Sequence, residues 1–206
     1  MLKQFLKGFT GTTYQVPRID PMSFSLQTIS HFENEVHEGH AFCVHHAEAD
    51  FDKADVIGIL FTTPNSTKHL HMLALVYAGS SSFYQIYEAP TLDPANYPTS
   101  FTTPINRNRN SSITSDVLSA RAVPVVNQVA LKTVPDVNPV TATGTVLHAE
   151  MIGSGKQGGG GGNLAAGKYI LKRNTLYYFR LSGTAAGADN SVASIELTWA
   201  EHTALE

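Results

Sequence analysis

Apolar residues in this chain gather in short runs, most of them alternating with polar ones. Leu2, Phe5, Leu6 and Phe9 make one short stripe at helical spacing, and Gly8 and Gly11 limit it to about two turns. Elsewhere the period is two, or there is none. Gly167 to Arg180 carries two runs of aromatic and branched residues around the polar break Lys172-Arg173-Asn174, and Asn tolerates the left-handed backbone of a tight turn. The pattern predicts a β-hairpin there. Val192 to Trp199 alternates and holds the single Trp, which predicts a closing strand beside that hairpin.

The same reading runs through the rest of the chain. Ser25 to His46 predicts a hairpin that turns at Glu38-Gly39 and returns through Ala41 to His46, followed by a polar, acidic loop from Ala47 to Lys53. Val56 to Thr63 is an apolar run, a buried strand, and Pro64-Asn65-Ser66-Thr67 is a turn. Lys68 to Tyr77 is apolar on both faces toward its end and predicts a central strand. Phe83 to Tyr87 and Thr145 to Ile152 are further strands. Seven of the ten prolines fall between residues 90 and 140, and proline cannot donate to a sheet ladder. That region predicts long loops with one edge strand near Val117 to Val126. A second loop covers residues 153–166, where Gly153 to Gly162 holds seven glycines. The expected architecture is all-β: a jelly-roll-like β-sandwich over residues 25–206, preceded by an extended N-terminal arm over residues 1–24.

Composition sharpens this picture in two places. Charged residues are 15% of the 206, below the usual quarter, with Ser, Thr, Asn and Gly in their place. Net charge is −3, so no global basic field draws nucleic acid. The charge is unevenly laid out. Lys3, Lys7 and Arg18 have no acidic neighbour within residues 1–18, whereas residues 19–60 carry eight acids against Lys53 alone. Pro17 and Pro21 favour an extended path between the two. Leu2, Lys3, Phe5, Leu6, Lys7, Phe9 and Arg18 are therefore read as an arm ordered by a partner. No apolar run is long enough to span a bilayer, and residues 1–9 make a poor secretory signal, so no membrane partner is expected. Cys43, the one cysteine, cannot form an intrachain disulfide.

The candidate chemistry is sparse. Gly155-Lys156 suggests a phosphate loop, but Glu150 stands where its first Gly belongs and Gln157 where Ser or Thr belongs. The tract is read instead as a flexible loop that orders against a neighbouring subunit, with Lys156 an interface candidate. His69 and His71 share a strand face, as cupin metal ligands do, but Leu75 and Val76 occupy the positions of the expected Glu. A cupin-like metalloenzyme thus fails at its next ligand, and no metal or other cofactor is expected. No nucleophile elbow occurs, and no carboxylate pair stands out among the acids. In Asn106-Arg107-Asn108-Arg109-Asn110-Ser111-Ser112, two Arg without an aromatic platform suit a carboxylate across an interface.

Six stretches in order resemble the head decoration, or cement, proteins, small β-rich virion proteins of tailed bacteriophages. They are Tyr14 to Asp20, Phe61-Thr62-Thr63-Pro64-Asn65, Asn106 to Ser112, Gly153-Ser154-Gly155-Lys156, Ile170 to Thr175, and Trp199-Ala200-Glu201-His202-Thr203. Ala200 stands where that pattern places an aromatic, and Gly159 to Gly162 is richer in Gly than the pattern. The resemblance implies a structural protein that binds and stabilises the assembled capsid. Its partner would be the major capsid protein and its form a homotrimer on the capsid surface, assembled in the host cytoplasm. It implies no enzyme. A second class of function is a carbohydrate-binding or host-adhesion module of a tail or capsid spike, for which Tyr84, Tyr87 and Tyr97 would form an exposed aromatic rim.

Overall fold

The structure, a computed structural model, describes residues 31–93, 102–117, 131–134, 140–142, 144–153, 160–162, 169–184 and 190–203. The chain divides into two compact units, Met1–Asn34 and Glu35–Glu206. The expected arm over residues 1–24 lies outside the described residues.

The first described element is a helix, α1 (His31–Glu38). Gly39 ends it at φ +81°, with Gly39 N–H donating to Val36 O and His40 N–H to Glu35 O. Glu38-Gly39 was expected to turn a hairpin, and that expectation is corrected here. A left-handed glycine serves a helix C-terminus as readily as a hairpin, and the local signal does not distinguish the two.

The second unit is an all-β sandwich of two antiparallel sheets. Its strands are β1 (Ala41–Phe51), β2 (Val56–Thr62), β3 (Lys68–Ala78), β4 (Ser82–Glu88), β5 (Thr91–Leu92), β6 (Ile105–Asn106), β7 (Leu131–Val134), β8 (Val140–Ala142), β9 (Thr145–Ile152), β10 (Gly160–Gly162), β11 (Tyr169–Leu171), β12 (Leu176–Gly183) and β13 (Ser191–Thr203). The first sheet runs β10-β3-β13-β1-β6, with β11 also on β3; the second runs β7-β2-β12-β4-β9; β5 and β8 pair separately. The pairing is nested from the outside inward: β1 with β13, β2 with β12, β3 with β11, β4 with β9.

Alternation places one side chain in two between the sheets. Phe42 and Val44 of β1, Leu70, Met72 and Val76 of β3, and Ile195, Leu197 and Trp199 of β13 face Ile57, Ile59 and Phe61 of β2, Tyr84 and Ile86 of β4, and Tyr177, Phe179 and Leu181 of β12. Trp199 packs edge-on against Phe61 at 5.2 Å between ring centres. The second sheet also buries part of its outer face, where Leu60, Tyr87 and Tyr178 cluster with Leu92 and Leu176. That second layer explains why β2 reads as an unbroken apolar run.

Three further expectations change. Gly167 to Arg180 is no hairpin: β11 joins β3 in one sheet, and β12 joins β2 and β4 in the other. Asn174 does turn the chain, at φ +47°, but the turn is tied to the β2–β3 connection. Thr63 Oγ1 donates to Lys172 O at 2.6 Å and accepts from Thr175 N–H at 2.9 Å. β13 lies between β1 and β3, touching neither β11 nor β12 in the ladder. Finally, β1 continues through the expected acidic loop to Phe51, because Ala47, Glu48 and Phe51 pair with Ser194, Ala193 and Ser191. Backbone pairing asks nothing of the acids there except that water reach them. Val117 is buried in the core and belongs to no strand; the rest of the expected edge strand lies outside the described residues.

A carboxyl group sits inside this apolar assembly. Glu201 is 1% exposed, at the end of β13. Its Oε1 accepts from Trp199 Nε1–H at 2.9 Å and from the Ser115 hydroxyl, and its Oε2 accepts from Asp116 N–H at 2.9 Å. Lys68 Nζ stands 4.0 Å from Oε2 and 3.2 Å from Asp116 Oδ2. These bonds fasten residues 115–117 across the end of the sandwich.

Burial raises the Glu201 carboxyl above its ordinary 4.5, and the Ser115, Asp116 and Trp199 donors pull it back only in part. A group whose folded value is raised stabilises most when protonated. Its contribution is full below 4.5 and is lost as pH rises through the folded value. We expect Glu201→Gln to flatten that decline. Urea unfolding from pH 4.5 upward should show the wild type losing stability relative to the variant; parallel pH profiles would refute it.

Candidate functional site

The repeat Asn106-Arg107-Asn108-Arg109-Asn110 resolves into two sets of side chains. Asn106 Nδ2 donates to Gly39 O at 2.8 Å and to Ile113 O at 2.9 Å, while its Oδ1 accepts from Asn108 N–H at 2.8 Å. Asn108 Nδ2 donates to His37 O at 2.9 Å, and its Oδ1 accepts from Asn110 N–H. Ser111 Oγ does the same for Ile113 N–H. Asn106 and Asn108 thus each close a turn on the amide two residues ahead and tie the segment to the end of α1. The main chain joins in: β6 pairs with Phe42 and Cys43 of β1, and Arg107 N–H donates to Ala41 O. The interleaved Arg107 and Arg109 are exposed.

Those two guanidinium groups lie close enough to Cys43 to act on its thiol. Burial and the Glu196 carboxylate raise that thiol, and Arg107 and Arg109 oppose them. Cys43 is half-buried on the outer face of the first sheet, in register with Thr198. Raised rather than lowered, it lacks the thiolate character of a nucleophile.

Of the interface residues expected from sequence, Arg107 and Arg109 are brought together here. Leu2, Lys3, Phe5, Leu6, Lys7, Phe9, Arg18 and Lys156 lie outside the described residues. Near Lys156, Gly160–Gly162 forms β10 and pairs with Val76 to Ala78, so the end of the glycine tract is sheet edge.

His69 and His71 share the outer face of the first sheet, and His202, in register with His69, joins them. The His202 ring centre is 4.4 Å from that of His71 and 6.5 Å from that of His69. Arg173 Nη2 stands 3.5 Å from His69 Nε2. A guanidinium beside the cluster repels a metal cation there. Among the described residues, the metal-ligating atoms that do converge belong to Glu35, Glu38 and His40, with His40 Nδ1 at 3.5 Å and 3.7 Å from the two carboxylates. Sequence reasoning missed this set, because Glu-x-x-Glu-x-His was read as two strands of a hairpin.

The outer face of the first sheet is otherwise partly apolar, with Tyr77, Ile170 and Val192 exposed. Tyr84 and Tyr87, expected on an open rim for sugar binding, are buried, Tyr84 in the core and Tyr87 against Tyr178. An aromatic reads the same in a strand whichever face it takes. Tyr97 lies outside the described residues.

Comparisons with protein families, with curated proteins and with solved structures each find no match.

The two halves of the repeat should separate by mutation. Asn106→Ala removes three hydrogen bonds and should cost roughly 1–3 kcal/mol in urea unfolding. Arg107→Ala with Arg109→Ala, compared at a concentration where both proteins are monomeric, should stay within about 0.5 kcal/mol of wild type. Equal losses in the two variants would contradict the division.

Proposed function

We propose that this protein is a structural virion component of a tailed bacteriophage, a cement protein that binds and stabilises the assembled capsid. In this reading it works as a homotrimer on the capsid surface, with the major capsid protein as partner, and is assembled in the host cytoplasm. It performs no chemistry.

The observation that carries the reading is the presentation of Arg107 and Arg109. Two cations stand on a segment whose Asn side chains and β6 pairing hold it rigid. Fixing a binding group in advance lowers the ordering cost of association. The nested strand pairing is consistent with the reading, since a jelly roll, an architecture that capsid proteins use, would nest its strands in this way. The family resemblance supplies the rest.

The mechanism is mass action. A protein that binds the assembled lattice and not its free subunits stabilises the lattice in proportion to occupancy. Residues 1–18 would reach across to a neighbouring capsid subunit. A stripe of Leu2, Phe5, Leu6 and Phe9 must share its burial to offset an ordering cost of about 1–2 kcal/mol per residue. The sandwich would form the trimer knob.

Deleting residues 1–20 should leave a folded, oligomeric knob with nearly native melting, yet abolish most binding to purified capsids. Binding of the full chain should weaken with salt. A truncated protein that decorates capsids as well as the full chain would sink the proposal for the arm. Arg107→Ala with Arg109→Ala should lower the sedimentation coefficient by breaking the oligomer, and unchanged sedimentation would count against those residues as subunit contacts.

A further inference from the structure

β9 is the last strand of the second sheet, with β4 on one side. Among the described residues no strand pairs with its other edge. At 8 residues it is longer than the usual strand of about five or six. It carries neither Lys nor Pro, two common guards of such an edge. It also holds apolar side chains in solvent: Val146 is 50% exposed and Met151 49%. A long edge of this composition is a template for another strand.

The register with β4 assigns each side chain of β9 to a face. Val146, Ala149 and Met151 stand opposite Tyr87, Gln85 and Phe83, on the outer face. His148, Glu150 and Ile152 stand opposite Ile86, Tyr84 and Ser82, on the inner one. Leu147 is extra: the register skips it between Ile86 and Tyr87, which makes it a bulge. Its side chain packs against the core, and its carbonyl accepts from the Tyr169 hydroxyl of the first sheet at 3.3 Å.

A second copy of this strand, running antiparallel, complements the first. With a two-fold axis at Ala149, His148 faces Glu150 of the second copy, and Glu150 faces its His148. Past the bulge, Val146 faces Met151 and Thr145 faces Ile152. Every pair then lies on one face of the sheet, the two exposed apolar side chains cover each other, and imidazole meets carboxylate. Within one chain His148 Nε2 already stands 3.3 Å from Glu150 Oε2, so the four groups alternate across the contact. Neighbouring axes do not achieve this. An axis at His148 or at Glu150 sets like against like, which is destabilising across strands. An axis between residues opposes inner side chains to outer ones.

We propose that the free edge of β9 is an interface with a second copy of this chain, the two strands pairing antiparallel about Ala149 so that two 5-stranded sheets become one. The main chain supplies the hydrogen bonds of the new ladder, and the His148–Glu150 and Val146–Met151 pairs fix its register. The same patch serves both copies. This two-fold contact is separate from the trimer contacts of the capsid reading and together with them joins copies of two trimers. It does not rest on that reading, and the purified full chain is sufficient to test it.

The experiment reads the register. On the axis, position 149 of one copy lies directly opposite position 149 of the other, about 4.5–5.5 Å away between Cα atoms, which is disulfide range. Ala149→Cys should cross-link two copies under mild oxidation, the joined peptides being identified by mass spectrometry. Thr145→Cys, which would face Ile152, should not. Ala149 is exposed, so the change leaves the packing in place. Sedimentation of the wild type should give two copies or a multiple of two. His148→Glu sets carboxylate against carboxylate and should halve that mass, and adding Glu150→Lys should restore it. No cross-link at Ala149→Cys, or an equal one at Thr145→Cys, overturns the proposal. So does a wild type that sediments as a monomer or a lone trimer. The cross-links and the wild-type mass decide the matter even if a charge variant does not fold.

Discussion

A buried indole needs an acceptor, and much of this structure follows from how Trp199 finds one. Its ring is enclosed by the two sheets, where no water can serve its N–H. Glu201, two residues on and on the same face, accepts that hydrogen. A carboxylate so placed has lone pairs to spare, and burying it is costly unless they are used. Ser115 and Asp116 use them. That requirement draws residues 115–117 across the end of the sandwich, and the same stretch of chain supplies β6 and the Asn-pinned segment. The position of Arg107 and Arg109 thus descends, bond by bond, from one tryptophan.

The two sheets treat their outer faces differently. The second covers Leu60, Tyr87 and Tyr178 with a further apolar layer, so a guanidinium and a phenol on that face sit in surroundings of low polarity. The first leaves Tyr77, Ile170 and Val192 exposed beside histidines. Charge on the first face is solvated and weak at a distance.

What could be read from the sequence was local. Val56 to Thr63, Lys68 to Tyr77, Phe83 to Tyr87 and Thr145 to Ile152 are strands because alternation and apolar content are properties of the segment itself. The all-β sandwich followed from their number. What failed was partnership. Gly167 to Arg180 has every mark of a hairpin, but Thr63, more than a hundred residues away, holds its turn and sends the two runs into different sheets. Phe32 to Val36 fits either period, and only the cap at Gly39 decides it. In the candidate site, the sequence singled out Arg107 and Arg109, and the structure places both exposed. The structural half of the repeat was not legible, because the carbonyls that Asn106 and Asn108 reach are separated from them by some seventy positions.

The nested pairing has a kinetic consequence. Ala41 finds its partner only at Ala200, and Val56 only at Ser182. While the chain is being made, the flanks of β1 and β3 that face β13 must therefore wait, their amide groups unpaired, for a strand far later in the sequence. Closing such long loops is slow, and exposed edges of this kind are where chains stick to one another. A protein organised in this way gains little from folding piece by piece. Its yield depends on keeping the early strands apart until β13 arrives.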